Sequence, residues 1–304
     1  MNYCLKLYKY KPLVSNEDLN RLEDFLCQKI WIPPLSSLND LQEGAFQLTY
    51  PTNETMINNP ALSNILEEVC KEKGVNFEEY FNLLIENQYQ VYDNIIRDQF
   101  SDFGVFSFTS DYLNEPMWAH YGAIHKGYCA IFELDFGYAF DELNLSQQQK
   151  EDYICCLKKG EEPLIFSVDT DFIFAFCKVR YEPKLPVISF EEALKNKDKD
   201  EKAKMRFMLK ILGTKLCTWS YESEYRLIAN LNSLVHGEKK PMSLQMYAPF
   251  IKMTGIIMGK YMEDKDQIQR LCEKHQIDLF QSILSKNHSY LEMNQVLVRG
   301  KSII

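Results

Sequence analysis

Two glutamates and an arginine stand at alternate positions in the segment Trp219-Ser-Tyr-Glu-Ser-Glu-Tyr-Arg226. On a β-strand, Glu222, Glu224 and Arg226 would project from one face, because successive side chains alternate between the two faces. Two carboxylates at this spacing repel each other, which raises the pKa of one of them, and the arginine offsets the repulsion. Such a triplet could ionise a ribose hydroxyl or hold a metal ion. It could also be a solvent-exposed row of ion pairs, which the spacing alone favours.

Aromatic rings and histidines are concentrated in a second segment, residues 117–127. On a helix, Trp118, Tyr121 and His125 fall at positions i, i+3 and i+7 along one face. These rings could stack on a nucleobase or nicotinamide while Lys126 holds a phosphate. The other histidine lies off this stripe, so the two do not form the i, i+4 pair of a metal site. An aromatic stripe more often packs in a protein core.

A third polar group, Asn39, Asp40 and Glu43, precedes Gly44. Asn and Asp before a glycine commonly shape a turn through side-chain to backbone hydrogen bonds. A turn and a ligand-binding loop are both compatible with this pattern.

Several standard catalytic signatures are absent from the sequence. No G-x-G occurs, so neither a dinucleotide-binding Rossmann loop nor a kinase glycine-rich loop is supported. The sequence also lacks the phosphate-binding G-x-x-x-x-G-K-[ST], the zinc motif H-E-x-x-H and the nucleophile motif G-x-S-x-G. Any activity must therefore use a less standardised site.

Hydrophobic periodicity predicts an α+β fold around these segments. Strands are predicted at Cys4–Tyr10, Phe46–Tyr50, Gly104–Ser110, Gly127–Leu134, Phe176–Tyr181, Tyr221–Ala229, Thr254–Met258 and twice near the C-terminus. Helices are predicted from Ser15, from Asn76, over Trp118–His125, over residues 141–162, from Ser189 and over Lys265–His275. We expect a single mixed, mostly antiparallel sheet with helical insertions between its strands. Residues 1–304 form one predicted domain, with helical elaborations at about 55–100 and 138–210.

Composition narrows the class of protein. The 34 basic and 43 acidic residues give a formal charge of −9, which argues against a protein that coats nucleic acid with its whole surface. The 9 cysteines include no C-x-x-C pair, so we expect reduced thiols and neither a zinc ribbon nor a disulfide framework. The N-terminus lacks a signal-peptide pattern and no apolar run reaches the ~18 residues of a membrane span. The sequence predicts a cytoplasmic protein without membrane partners.

Taken together, these segments resemble a bacterial family named domain of unknown function 2971. The similar stretches run in order through most of the chain: Leu7–Tyr10, Trp31–Pro34, Leu38–Asp40 with Glu43, Phe106–Phe108, Met117–Tyr121, His125–Gly127, Val179–Tyr181, Trp219, Tyr221–Glu222, Glu224–Arg226 and Gly255–Gly259. The family name records no activity. The resemblance implies that the polar residues near Trp118 and Glu222 form a site, and it associates the chain with bacterial defence or toxin action.

A more distant similarity is to ADP-ribosyltransferases, which carry a basic or His residue on an early strand, a Ser/Thr strand in the middle and a Glu-x-Glu strand late in the chain. The corresponding stretches here are Tyr8-Lys9, Ser107-Phe-Thr109 and Glu222-Ser-Glu224. This similarity implies NAD as a substrate, cleaved through an oxocarbenium-like state that a carboxylate stabilises.

The same similarity implies roles for individual side chains. Glu224 would stabilise the cation and Glu222 would contact the acceptor, which could be a protein or a nucleic acid. Tyr8 or Lys9 would hold the dinucleotide. His120 or Tyr121 would line the pocket.

Two other interpretations remain open at this stage. Asp40, Glu43, Glu222 and Glu224 could bind magnesium in a hydrolase or nuclease. Alternatively, the segment from Trp118 to Lys126 could sense a nucleotide without turnover. We also hypothesise that the Trp118 and Glu224 segments share one pocket.

Overall fold

The computed structural model describes residues 3–38, 40, 42–49, 58, 60–80, 82–83, 87, 103–168, 172–189, 192–193, 200–231, 244–286, 290–298 and 301–302. The helices are α1 (Asn16–Leu26), α2 (Pro60–Lys73), α3 (Glu115–His120), α4 (Gly137–Glu142), α5 (Gln147–Lys159), α6 (Glu201–Leu212) and α7 (Lys265–His275). Short 3₁₀ turns cover Leu35–Ser37 and Cys217–Glu222.

The strands are β1 (Cys4–Lys11), β2 (Lys29–Ile32), β3 (Gln47–Thr49), β4 (Phe103–Thr109), β5 (Tyr128–Asp135), β6 (Leu164–Val168), β7 (Phe172–Lys178), β8 (Arg180–Glu182), β9 (Val187–Ser189), β10 (Thr214–Leu216), β11 (Glu224–Asn230), β12 (Leu244–Tyr247), β13 (Ile251–Met258), β14 (Asp278–Leu284), β15 (Leu291–Val298) and β16 (Lys301–Ser302).

Ten strands form one large sheet in the order β16-β15-β14-β13-β5-β1-β4-β11-β7-β6. β13 and β14 run parallel, and the other neighbours in this sheet are antiparallel. Three two-stranded sheets, β10-β8, β12-β2 and β3-β9, lie outside it. The predicted α+β class with a mixed, mostly antiparallel sheet is confirmed, with the three small sheets in addition. The 138–210 segment contributes β6 and β7 to the large sheet as well as helices.

Apolar side chains cover both faces of the large sheet. On one face, Leu7, Phe106 and Phe132 pack in a cluster that includes residues of α1, α4, α5 and α7. On the other face, Val105 and Ile228 pack against α6, while Trp118 of α3 packs near β1 and β5. The alternation of β4 is as predicted, because Phe106 and Phe108 join the first cluster and Val105 joins the second. The α1 face and the α3 face are named below for these helices.

β1 and β4 separate soon after they meet. β1 pairs with β5 along its whole length, whereas it pairs with β4 where Tyr8 lies opposite Thr109. Beyond this point Pro33 and Pro34 lie beside β4, where the Val105 N–H donates to the Pro33 carbonyl and Pro34 bridges to Gly104. The resulting gap lies between β1, β4 and the segment that follows β2.

The predicted strand Tyr221–Ala229 is wrong at its start. Residues Cys217–Glu222 form a 3₁₀ turn, Ser223 adopts a left-handed conformation with φ of 46°, and the strand begins at Glu224. Glu222 therefore does not share a strand face with Glu224. Alternation alone could not reveal this, because a left-handed residue interrupts the period of two.

The predicted helix over Trp118–His125 is also too long. α3 ends at His120, and Ala123, Ile124 and His125 follow with positive φ angles of 49°, 53° and 62°. The predicted helical face through Trp118, Tyr121 and His125 does not exist. The left-handed turn instead folds the chain back, so that the His125 ring stacks on Trp118 with centroids 5.5 Å apart.

Other boundaries differ from the predictions in smaller ways. The predicted helix over residues 141–162 is divided into α4 and α5 at Asn144, which has positive φ, and Ser146, which caps α5. The strand predicted at Phe176–Tyr181 comprises β7 and β8. Most of the helix predicted from Asn76 lies outside the described residues. Among the described helices, none has the length and apolar character needed to span a bilayer.

Phe132 provides a test of the core on the α1 face. Its ring lies 5.4 Å from Phe25, 6.2 Å from Phe106 and 5.6 Å from Phe108, measured between centroids. We expect Phe132→Ala to lower the free energy of unfolding by about 3–5 kcal/mol, because a buried ring is removed and a cavity remains. Urea unfolding measures this change, and Val298→Ala at an exposed position is the control. Equal effects of the two substitutions would contradict the packing described.

Candidate functional site

A cavity of about 490 Å³ occupies the gap between β1 and β4. Its volume lies within the range of small-molecule sites. The side chains that line it come from both faces of the sheet. Carboxylates and one lysine line it on the α3 face: Glu43, Lys215, Glu222 and Glu224. Mostly basic side chains from β1, α1 and β2 line it elsewhere: Lys11, Arg21, Asp24 and Lys29.

Arg226 of β11 organises the carboxylate group although its side chain is fully buried. Its Nη1 and Nη2 donate to the two oxygens of Glu43 at 2.6 and 3.0 Å. Its Nε and Nη2 donate to the two oxygens of Glu224 at 2.9 and 3.0 Å. Nη1 also donates to the Leu212 carbonyl at the end of α6. The planar guanidinium can bind two carboxylates in this way because its donors form a rigid fork.

Lys215 of β10 is the second cation of the cluster. Its Nζ lies 2.6 Å from Glu222 Oε2 and 3.3 Å from Glu224 Oε2. Glu43 Oε2 is 3.7 Å away, and the ammonium also lies 4.9 Å from the centre of the Trp219 ring. Lys215 thus holds Glu222 and Glu224 together although the backbone places them in different elements. We name Glu43, Lys215, Glu222, Glu224 and Arg226 the carboxylate cluster.

The two central glutamates have opposite pKa shifts. Burial raises the pKa of Glu222, and the neighbouring Lys215 offsets only part of this effect. Burial also opposes ionisation of Glu224, but Arg226 and Lys215 together outweigh it and lower its pKa to about 2. Two carboxyl groups whose environments move their pKa values apart can perform different chemical tasks. Glu224 stays ionised at neutral pH, whereas the proton affinity of Glu222 is increased.

Two tyrosines and an asparagine connect the cluster to the rest of the site. The Tyr121 hydroxyl donates to Glu222 Oε1 at 2.7 Å, and burial raises the pKa of this tyrosine. Asn114, which caps α3, donates from Nδ2 to the Tyr221 carbonyl at 2.8 Å. The Glu224 N–H donates to the Tyr181 hydroxyl at 2.8 Å. The segment that follows α3 and the segment before β11 therefore meet at one site.

Tyr8, Lys9 and Ser107 all line the cavity. Tyr8 lies opposite Thr109 in the sheet, and Glu224 lies opposite Thr109 on its other side. Lys9 points to the α1 face, where its ammonium donates to the Ser107 carbonyl and lies 4.0 Å from the centre of the Phe106 ring. Burial lowers its pKa well below the ordinary value. Lys9 therefore stands in the gap itself, between the two groups of charged side chains.

The rings of the 117–127 segment are divided between the core and the surface. Trp118 is fully buried and donates from Nε1 to the Tyr112 carbonyl, so it does not line the cavity. His125 stacks on it, with Nε2 3.7 Å from a Glu115 oxygen, and burial lowers its pKa. His120 is exposed and lies outside the cavity lining.

Lys126 is also at the surface and forms an ion pair with Glu263 at 3.1 Å. Of this segment, Met117 and Tyr121 reach the cavity. The hypothesis that the Trp118 and Glu224 segments share a pocket holds through Tyr121, since it contacts Glu222, while the Trp118 ring packs in the core behind it.

Three of the four carboxylates proposed as magnesium ligands converge on two cations, and the fourth, Asp40, lines the cavity but is not part of this cluster. Glu43, Glu222 and Glu224 are each within 4 Å of Lys215, and two of them also bind Arg226. Within the described ranges no group of three or more His, Cys, Asp or Glu residues is arranged to hold a metal ion. A divalent ion at this place would be repelled by two positive charges.

Sequence reasoning missed Lys215. It stands on a three-residue strand seven positions before Glu222, and no spacing rule links it to the glutamates. Glu43 was recognised as a polar loop residue, but its partner Arg226 lies 183 positions away. The signal that pointed to the site was the Glu-x-Glu-x-Arg pattern, which supplies three of the five members of the carboxylate cluster.

Arg226→Met tests the role of the buried guanidinium. We expect the free energy of unfolding at neutral pH to fall by about 3–5 kcal/mol, because Glu43 and Glu224 would remain buried without this cation. Urea unfolding measures the change, and Arg270→Met on the exposed side of α7 is the matched control. A loss no larger than that of the control would show that Arg226 does not stabilise the cluster.

The same substitution is expected to alter the pH dependence of stability. In the folded protein the pKa of Glu224 is about 2, below the ordinary 4.5, so its contribution is present above pH 4.5 and is lost as pH falls to about 2. Without Arg226 this pKa rises, and less stability is lost over that interval. Urea unfolding across the interval should show a steeper decline for the wild type than for Arg226→Met. Equal slopes would contradict the assignment.

Comparison with known protein families identifies a similarity over part of the chain. Residues 117–227 match the model of a family described as protein of unknown function (DUF2971), a stretch shorter than half of the 304-residue chain. No curated protein and no solved structure matches the chain. The matched stretch includes Tyr121, Lys215, Glu222, Glu224 and Arg226. The resemblance to this family is thus supported over the part of the chain that carries four of the five members of the carboxylate cluster.

Proposed function

We propose that this protein cleaves the bond between nicotinamide and ribose in NAD and transfers ADP-ribose to water or to an acceptor. The observation that carries the proposal is the pair of buried glutamates with opposite pKa shifts on the wall of one cavity. Cleavage of a glycosidic bond commonly uses two carboxyl groups with different roles, here one that stabilises the cation and one that accepts a proton. The distant similarity to ADP-ribosyltransferases assigns the same two residues.

Glu224 is suited to stabilise positive charge on the ribose. When the C1′–N1 bond breaks, its electron pair leaves with nicotinamide, and the ribose becomes an oxocarbenium ion. A carboxylate that is ionised at every working pH lowers the energy of that cation most effectively when it is fixed in place. Arg226 provides both the low pKa of Glu224 and its fixed orientation.

Glu222 is suited to accept a proton. An oxygen of water or of an acceptor hydroxyl forms the new bond to C1′, and its proton passes to the Glu222 carboxylate, which later releases it to solvent. A general base is most effective when its pKa lies near the working pH, and burial shifts Glu222 in that direction. The Tyr121 hydroxyl keeps one oxygen of Glu222 oriented.

A second candidate function is binding of a nucleotide without turnover. The observation that favours it is that the Glu224 carboxylate is already hydrogen-bonded within the protein. Both of its oxygens accept hydrogen bonds from Arg226, and one also contacts Lys215. A carboxylate that is held in this way contributes less negative charge to a substrate. In this case the cavity would sense a ligand, and the ligand would be recovered intact. A role in bacterial defence or toxin action is compatible with either function.

Release of nicotinamide from NAD tests the catalytic proposal. We expect the wild type to release it, alone or with an acceptor supplied by cell extract, and we expect Glu224→Gln to reduce the rate by about a hundredfold or more. We expect Glu222→Gln to reduce it by about a hundredfold, since the base would be absent. Chromatography of the products measures both rates.

Glu263→Gln is the matched control, because this glutamate is 77% exposed and lies outside the cavity of the carboxylate cluster. Thermal unfolding of each variant identifies any loss of folding. If folded wild type releases no nicotinamide but is stabilised by NAD, the binding function replaces the catalytic one. If neither occurs, both proposals are wrong.

The pH dependence of the reaction gives a further test. Because Glu222 must be ionised to accept a proton, the rate should rise with pH through its raised pKa. The Tyr121 hydrogen bond lowers the pKa of Glu222, so Tyr121→Phe should move this limb of the profile to higher pH. Initial rates across the profile measure the shift. A limb that stays in place would exclude Glu222 as the titrating base.

A further inference from the structure

Trp31 is an exposed ring at the cavity. It lies on β2, where Ile30 and Ile32 point into the core and are at most 1% exposed. Trp31 points the other way, is 46% exposed and still lines the cavity. Of the tryptophans, Trp118 is buried, so it has no free ring face for a ligand. A half-exposed indole at a cavity wall presents a flat apolar surface on which a nucleobase can stack.

Basic side chains surround the same part of the cavity. Lys29 lies two residues before Trp31 on β2, so both side chains project from the same face of the strand. Arg21 comes from α1 and Lys11 from the end of β1. Lys11 and Lys29 make no ion pair within the described part of the chain, whereas Arg21 contacts Glu17 on the same helix. Burial and the nearby Arg21 lower the pKa of Lys11, and the Asp18 carboxylate offsets only part of this effect.

The acidic residue in this group is already engaged. Asp24 of α1 accepts a hydrogen bond from Gln245 of β12 at 2.7 Å. Lys11, Arg21 and Lys29 thus outnumber Asp24 in this group, whereas the carboxylate cluster has three glutamates and two cations. Asp40 also lines the cavity. The cavity is therefore polarised, with a basic group and an acidic group on different elements.

The distance between the two groups matches an extended ligand. Lys11 is three residues along β1 from Tyr8, which is about 10 Å at the rise of a strand. Glu224 is separated from Tyr8 by one intervening strand, which adds about 10 Å in the perpendicular direction. A ligand that contacts both groups must carry its negative charge and its reacting bond at separate ends.

We infer that Trp31, Lys11, Arg21 and Lys29 form a subsite for a nucleoside diphosphate, with the base stacked on Trp31 and the phosphates at the three basic side chains. The subsite rests on the proposed function for its orientation, since it directs the far ribose to the carboxylate cluster. Its binding chemistry is independent of turnover. Arginine and lysine bind phosphate oxygens through charge-assisted hydrogen bonds.

Binding of ADP-ribose tests the subsite directly. Isothermal titration at low salt should show that the wild type binds ADP-ribose, that Trp31→Ala weakens binding about tenfold and that Trp31→Phe retains most of it. Tyr247→Ala is the matched control, because Tyr247 is 59% exposed on the neighbouring strand β12 but does not line the cavity. Its affinity should equal that of the wild type.

The basic side chains are tested with a pair of ligands. Lys29→Gln should weaken the binding of ADP-ribose and leave that of adenosine unchanged, since adenosine has no phosphate. The exposed Lys252→Gln on β13 should change neither affinity. Added salt should weaken ADP-ribose binding more than adenosine binding.

Two results would overturn the inference: no binding of ADP-ribose by folded wild type at millimolar concentration, or wild-type affinity in both Trp31→Ala and Lys29→Gln. These results are distinct from failure of the catalytic proposal. Binding of ADP-ribose that depends on Trp31, with no release of nicotinamide from NAD, would retain the subsite and remove the catalytic function. Release of nicotinamide with a KM that Trp31→Ala leaves unchanged would retain the catalytic function and remove the subsite.

Discussion

The buried guanidinium of Arg226 is the interaction on which the site depends. It lies on β11, between β4 and β7, and its donors satisfy Glu43 from a distant loop, Glu224 from its own strand and the carbonyl at the end of α6. Burial of a cation is costly unless it is fully paired, so this arrangement requires all its partners to be in place. The loop, the helix end and the strand are therefore fixed relative to one another by one side chain.

The cavity is a consequence of strand pairing. β1 follows β5 along its whole length and leaves β4 after one recorded pair, and the segment after β2 lies along β4 further on. An interrupted pairing in the middle of a sheet exposes backbone carbonyls that need donors. The Lys9 ammonium donates to the Ser107 carbonyl, in the gap that connects the α1 face with the α3 face. The same gap brings the basic residues of α1 and β2 into one cavity with the carboxylate cluster.

Much of the architecture follows from local pattern, whereas its interruptions do not. The alternation in β4 and the boundaries of α7 were predictable because one face of each element is apolar and the period is regular. The left-handed residues Ser223 and Ala123–His125 were not, since none of them is glycine and tertiary contacts hold them in these conformations. These two interruptions are the ones that set the positions of Glu222 and His125.

The sequence by itself determined the fold class, the Glu-x-Glu-x-Arg pattern and the concentration of aromatic residues at 117–127, because these depend on residues close together in the chain. Only the tertiary structure decided that Trp118 packs in the core, that Tyr121 reaches Glu222 and that Lys215 joins the two glutamates. Their partners are far apart in sequence, and a contact across a sheet leaves no periodic signal along the chain. Burial, which sets the opposite pKa shifts of Glu222 and Glu224, is likewise a property of the folded protein.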